Sequence, residues 1–198
     1  MFFKSDFKTR ETEDEMIIEG YFIVYDNPTE LWRGFHEKIA QKACRNSILN
    51  GDIRALFNHN SGTVLGRMKS QTLELSEDSY GVKGAIRINP QDSEARNIYE
   101  RVKRGDISGC SFGFYPRDEE YIENSDGSVT AVVKEADVIE VSVCTFPAYP
   151  QTSIEARAAD LESYRQKREE AKKEIETKNV KEEVQKLKER YNNVTSNS

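Results

Sequence analysis

What most limits the folding of this chain is a change of composition after residue 154. From 155 to 190, 21 of 36 residues are charged, 10 acidic and 11 basic. The apolar positions between them, from Leu161 and Tyr164 to Leu187 and Tyr191, make a thin stripe whose spacing slips between Ile175 and Val180. Such a stripe suits a long solvated helix, weakly coiled-coil or partner-docking in character, and cannot seat on a large core. The closing NNVTSNS reads as disordered. The core must therefore come from residues 1–154, with 155–198 as a charged helical tail. Those first residues break into short β-branched and aromatic runs punctuated by Gly, Pro, Asn and Asp, the mark of a mainly β domain.

Charge then removes several classes of function. With 36% hydrophobic residues the chain can bury one sizeable core. It carries a formal −6, and the tail's balance of +1 leaves −7 on the rest. Proteins that neutralise phosphates present a basic face, so no nucleic-acid partner is expected. No apolar run approaches the ~20 residues of a spanning helix, and MFFKSDFKTRETEDE lacks a signal peptide's apolar stretch. No membrane partner is expected, and the protein reads as soluble and cytosolic. Cys44, Cys110 and Cys144 are odd in number and widely spaced, without a CxxC pair. They are expected to be reduced, mostly buried thiols, with no metal bound.

Along the chain, EMIIEGYFIVY (15–25) reads as a strand broken or bulged at Gly20, followed by a loop holding Pro28, Trp32 and Gly34. In FHEKIAQKACRNSILNG, Ile39, Ala43, Ser47 and Ile48 recur at helical spacing, and Asn50-Gly51 is a stop signal, so a short amphipathic helix is expected. DIRALFNHN is a strand ending at His59. TVLGRMKSQTLELSED makes one bent strand or two, and YGVKGAIRIN another. NPQDSEARNIYERVKRGD reads as a second helix capped by Asp92 or Ser93, with Ala95, Ile98, Tyr99 and Val102 buried and Gly105 ending it. GCSFGFYP, a hairpin about Asp126-Gly127 and DVIEVSVCTFPAYP complete the pattern. The expectation is mainly β with α: roughly seven strands and two short helices in a partly or fully closed barrel.

Only two histidines exist, His36 and His59. His36 is expected exposed or beside a helix cap; His59 ends a strand, from which an imidazole reaches the sheet surface. Strand alternation places Cys110, Phe112 and Phe114 on the core face, so Ser111 should face solvent or a shallow cleft. The same rule turns Ile139, Val141 and Val143 inward and Val138, Glu140, Ser142 and Cys144 outward. Serine is unreactive at its own pKa and needs a base, which a carboxylate can orient. Ser111, His59 and Glu140 would form such a set, although spacing alone favours reading them as solvated sheet residues. No GxSxG elbow is present, so a lipase-like hydrolase is not supported.

Taken together, LFNHNSGTVLGR, SGCSFGFYP and IEVSVCTFPAYP, in this order, resemble the prohead serine proteases of tailed bacteriophages, which are related in fold to herpesvirus assembly proteases. The resemblance spans about residues 15–155. FHEKIAQKA is similar to a family stretch in which Pro-Gly is common where this chain has Gln41-Lys42. The resemblance implies His59 as general base, Ser111 as nucleophile, and Glu140 as the third member with Ser142 as its competitor. It implies backbone oxyanion donors near Gly66-Arg67 or after Pro147, and no metal or organic cofactor. Arg67 is read as half of a structural ion pair rather than as a substrate contact. The function implied is endoproteolysis in capsid maturation, in host cytoplasm inside assembling proheads. The substrates would be the scaffolding region of the coat protein and the enzyme itself, and self-association is expected. The alternatives are an inactive capsid or scaffold module working through its tail, and a ligand-binding β-domain.

Overall fold

The computed structural model describes residues 3–4, 7–11, 15–146, 161–174, 176–178 and 181. In chain order the elements are β1 (Phe3–Lys4), β2 (Lys8–Glu11), β3 (Met16–Val24), β4 (Thr29–Trp32), β5 (Phe35–Ile39), α1 (Arg45–Asn50), β6 (Arg54–Phe57), β7 (Asn60–Arg67), β8 (Leu73–Glu77), β9 (Gly81–Ile88), α2 (Ser93–Arg104), β10 (Gly109–Glu123) and β11 (Val129–Cys144). They form a seven-stranded sheet ordered β1-β10-β11-β5-β4, with β6 bonded to β11 and β7, and a four-stranded sheet ordered β2-β3-β9-β8. The fold is therefore mainly β with helices, as expected, but neither sheet closes into the expected barrel. In the larger sheet β1 and β4 end the main path and β7 is bonded only to β6, so these strands remain edges.

The spine of the larger sheet is β11, 16 residues long. It pairs antiparallel with β10 along its whole length. On its other side Val129–Val133 runs parallel to β5, and Glu140–Val143 runs parallel to β6. Between those stretches α1 and the turn before it replace a strand. Ser47 Oγ donates to the Ala136 carbonyl at 2.9 Å and accepts from Val138 N–H at 2.9 Å, while Ala136 N–H donates to the Ala43 carbonyl. Buried backbone groups must be paired, and this is how the gap in the ladder is filled.

The second helix is as the sequence predicts: Asp92 accepts from the Glu94 and Ala95 N–H groups, Gly105 ends it at φ 89°, and Ala95, Ile98, Tyr99 and Val102 are buried. The helix lies against β2, β3, β7 and β9, and its apolar face joins one core fed by both sheets and both helices. The first helix is shorter than expected. Phe35, Glu37 and Ile39 are buried alternately, so FHEKI is a strand, and the helix begins only at Arg45. Lys42 takes a left-handed φ of 67° in the turn between them. Trp32, expected in a loop, lies in β4 and stacks on Phe35 with ring centroids 4.3 Å apart. The irregularity expected at Gly20 falls between Tyr21 and Ile23.

The chain divides into two compact units, Met1–Tyr149 and Pro150–Ser198. Of the long helix expected over 155–190, residues 161–174, 176–178 and 181 are helical. The remainder of that helix and the closing NNVTSNS lie outside the described residues. Among the described residues no helix is long and apolar enough to cross a membrane.

Candidate active site

The site is built where β6, β10 and β11 run side by side. In the β10–β11 ladder Ser111 stands opposite Ser142, and Gly113 opposite Glu140. Side chains two apart share a face, so Ser111, Glu140, Ser142 and Cys144 project from one side of the sheet while Cys110, Phe112, Val141 and Val143 enter the core. That side is not open to solvent. Ser111 is only 3% exposed, where a residue facing solvent or a shallow cleft was expected. Two further positions are corrected. The register slips between Gly113 and Phe114, which makes Ile139 a bulge residue on β11. Val138 therefore turns inward at 7% exposure and Ile139 outward at 41%, while Glu140, beyond the bulge, keeps the face of Ser142 by ordinary alternation.

His59 reaches this face through the turn. Asn58 and His59 both adopt left-handed φ, 51° and 58°, a conformation in which Asn and His are enriched. Asn58 pins the turn to the end of β11: its N–H donates to the Val143 carbonyl at 3.0 Å and its Oδ1 accepts from Thr145 N–H at 2.9 Å. The His59 ring then lies with Nδ1 2.6 Å from Glu140 Oε1. Ser142 Oγ donates to Glu140 Oε2 at 2.5 Å and accepts from the His59 backbone N–H at 3.3 Å. Sequence reasoning treated Glu140 and Ser142 as rivals; they occupy one network, with the carboxylate on the ring and the hydroxyl behind it. Asn58 was overlooked, although FNHN placed it beside the histidine.

The neighbouring Cys144, and next Glu140, raise the His59 pKa from its ordinary 6.5 to about 10 against the opposing pull of burial. Nδ1 is committed to the acid, and Nε2 is buried without a hydrogen-bond partner. No hydrogen bond joins Ser111 to His59 in this structure. The two are neighbours through Ser142, which faces Ser111 across the ladder and touches the histidine backbone. His36 is elsewhere, on β5 beside Thr130.

The remaining expectations fall as follows. Arg67 pairs with Asp52, Nε lying 3.0 Å from both carboxylate oxygens and Nη2 2.5 Å from Oδ2; it is a structural ion pair, and it holds the Asp52 carboxyl down to about 2. The Arg67 N–H donates to Thr72 Oγ1, so that group is not a spare oxyanion donor. The alternative donors after Pro147 lie outside the described residues. All three cysteines are buried, and none is in a disulfide. No His, Cys, Asp and Glu cluster fit for a metal occurs among the described residues.

Comparison with known proteins places this geometry in context. The family model of the caudovirus prohead serine proteases matches residues 4–167. The prohead protease of Enterobacteria phage HK97 is 28% identical over 143 residues, covering 71% of this chain and 59% of that protein. The chain thus spans under two thirds of the length of that relative. No solved structure matches it.

Proposed function

Because the chain belongs to the caudovirus prohead serine protease family, we propose that it is a serine endopeptidase of phage capsid maturation, cutting the scaffolding region of the coat protein and itself inside assembling proheads. The observation that carries this reading is the 2.6 Å contact between His59 Nδ1 and Glu140 Oε1, made on the sheet face from which Ser111 projects. It leaves Nε2 as the nitrogen that exchanges protons, the division of labour a serine nucleophile requires.

In the proposed reaction Nε2 removes the Ser111 hydroxyl proton as Oγ attacks the scissile carbonyl. The imidazolium returns that proton to the leaving amine, and water repeats the cycle on the acyl-enzyme. Glu140 accepts the Nδ1 proton bond and stabilises the imidazolium, and Ser142 holds Glu140. Kinship with herpesvirus assembly proteases belongs to this proposal; it rests on motif order and on a third member supplied by the last strand, without a closed barrel. Self-association is proposed on the resemblance alone, and the acidic balance supports a polypeptide rather than a nucleic-acid partner.

The test is coexpression with the coat protein encoded beside it, followed by mass spectrometry of the fragments. Ser111→Ala should abolish cleavage of the coat protein and of the chain itself while the far-ultraviolet spectrum stays the same, because it removes one oxygen and opens no core cavity. Cys110→Ser should retain activity, since Cys110 lies on the opposite, core face. Cleavage by Ser111→Ala at the wild-type rate would remove Ser111 as nucleophile. An uncut coat protein with the intact enzyme would favour the inactive assembly module.

A further inference from the structure

Glycine inside a strand weakens it, and its presence there marks a bulge or the close approach of another group. Gly113 lies within β10, its φ is outside the left-handed region, and the bulge that follows places its extra residue on β11 rather than on β10. Neither the backbone nor the bulge requires glycine. A Cβ at this position would stand 2.7 Å from Glu140 Oε1, 3.2 Å from its Cγ and 3.3 Å from its Cδ, and these are the three nearest atoms. Oε1 is the oxygen that meets His59 Nδ1. The other oxygen is tied by Ser142 Oγ, so the carboxylate cannot swing away from β10 without losing one bond or the other.

We infer that Gly113 is a positioning residue: the side chain it lacks is the slot in which the Glu140 carboxylate lies while it holds His59. The consequence for catalysis rests on the proteolytic reading above; the placement of the ring does not. An alanine here is relieved most cheaply by moving the far end of Glu140, because a flexible side chain yields before two paired strands do. That movement breaks the acid–histidine contact while leaving the nucleophile, the base and the acid all present.

The test uses the full chain carrying Ser111→Ala to prevent self-cleavage, and follows imidazole titration by NMR, with His36 as the only other histidine. Gly113→Ala should bring the His59 pKa down toward its ordinary 6.5. Placed in a Glu140→Ala background it should change nothing further, since the group it displaces is gone. In the active chain Gly113→Ala should lower kcat about 10-fold or more with KM held within about 2-fold, the signature of lost transition-state support. An unchanged His59 titration, a rise in KM in place of the fall in kcat, or an equal effect in the Glu140→Ala background would overturn the inference. Should Gly113→Ala unfold the chain, folding restored by Glu140→Ala supports the slot, and unfolding in both backgrounds overturns it. If the active chain cuts no coat-derived peptide, the proteolytic reading fails while the titration still decides the role of Gly113.

Discussion

His59 is held by Glu140, and the upward shift of its titration, caused by Cys144 and Glu140, sets what pH does to the protein. A general base works only when deprotonated, so kcat/KM on a coat-derived peptide should climb with pH through the raised His59 value. Glu140→Gln keeps the shape but can present an N–H where the ring needs an acceptor; by analogy with serine-protease triads kcat should fall by as much as ~10⁴, and the pH limb should move toward lower values. Ser142→Ala should cost much less, about 10-fold, because the carboxylate keeps its contact with Nδ1. Stability runs the other way. The folded pKa exceeds the unfolded value, so the pair's contribution is complete below pH 6.5 and is lost as the pH rises toward about 10. Urea midpoints of Ser111→Ala should therefore fall across that window more steeply than those of the same chain with Glu140→Gln. Parallel profiles would mean that the acid does not set the titration of the ring.

At the scale of elements, the ladder gap in β11 is a weak point that one hydroxyl closes. Ser47→Ala would leave the buried Ala136 carbonyl and Val138 N–H without the partner they have now, and an unsatisfied buried polar group costs about 1–3 kcal/mol. Equilibrium urea unfolding should show a loss of that order, and a loss near zero would mean that α1 does not substitute for a strand. The same elements show why part of the fold was legible and part was not. The second helix could be read because cap, stripe and stop all agree within PQDSEARNIYERVKRG, each a local signal. FHEKI was misread because Ile39 and Ala43 mimic helical spacing while the buried Glu37 interrupts the apolar alternation a strand would show; its pairing with Ala131 is a long-range fact. Strict alternation along DVIEVSV put Glu140 on the correct face and Val138 and Ile139 on the wrong ones. A bulge is set by the partner strand, and no local pattern announces it.

Over the whole molecule, the first unit contains both sheets, both helices and every residue of the candidate site, whereas the described helical residues of the second are mostly charged. Motif order pointed to the site because histidine, serine and acid come from segments adjacent in space though 29 to 81 positions apart in sequence; the burial of Ser111 was hidden because alternation tells which face a side chain takes and not what covers that face. A chain ending at Ile154 should therefore fold cooperatively and hydrolyse a coat-derived peptide, since the narrow apolar stripe beyond it has too little surface to build a core. The family match continues to residue 167, which makes a chain ending there the informative control. Equal thermal midpoints and equal kcat/KM for the two truncations would place the tail outside the catalytic domain and leave its work to partner docking, seen as failed incorporation into proheads. A chain of 1–154 that is insoluble or inactive beside a sound 1–167 would move the boundary past residue 154 and make the first turns of the tail helix part of what the enzyme needs to fold.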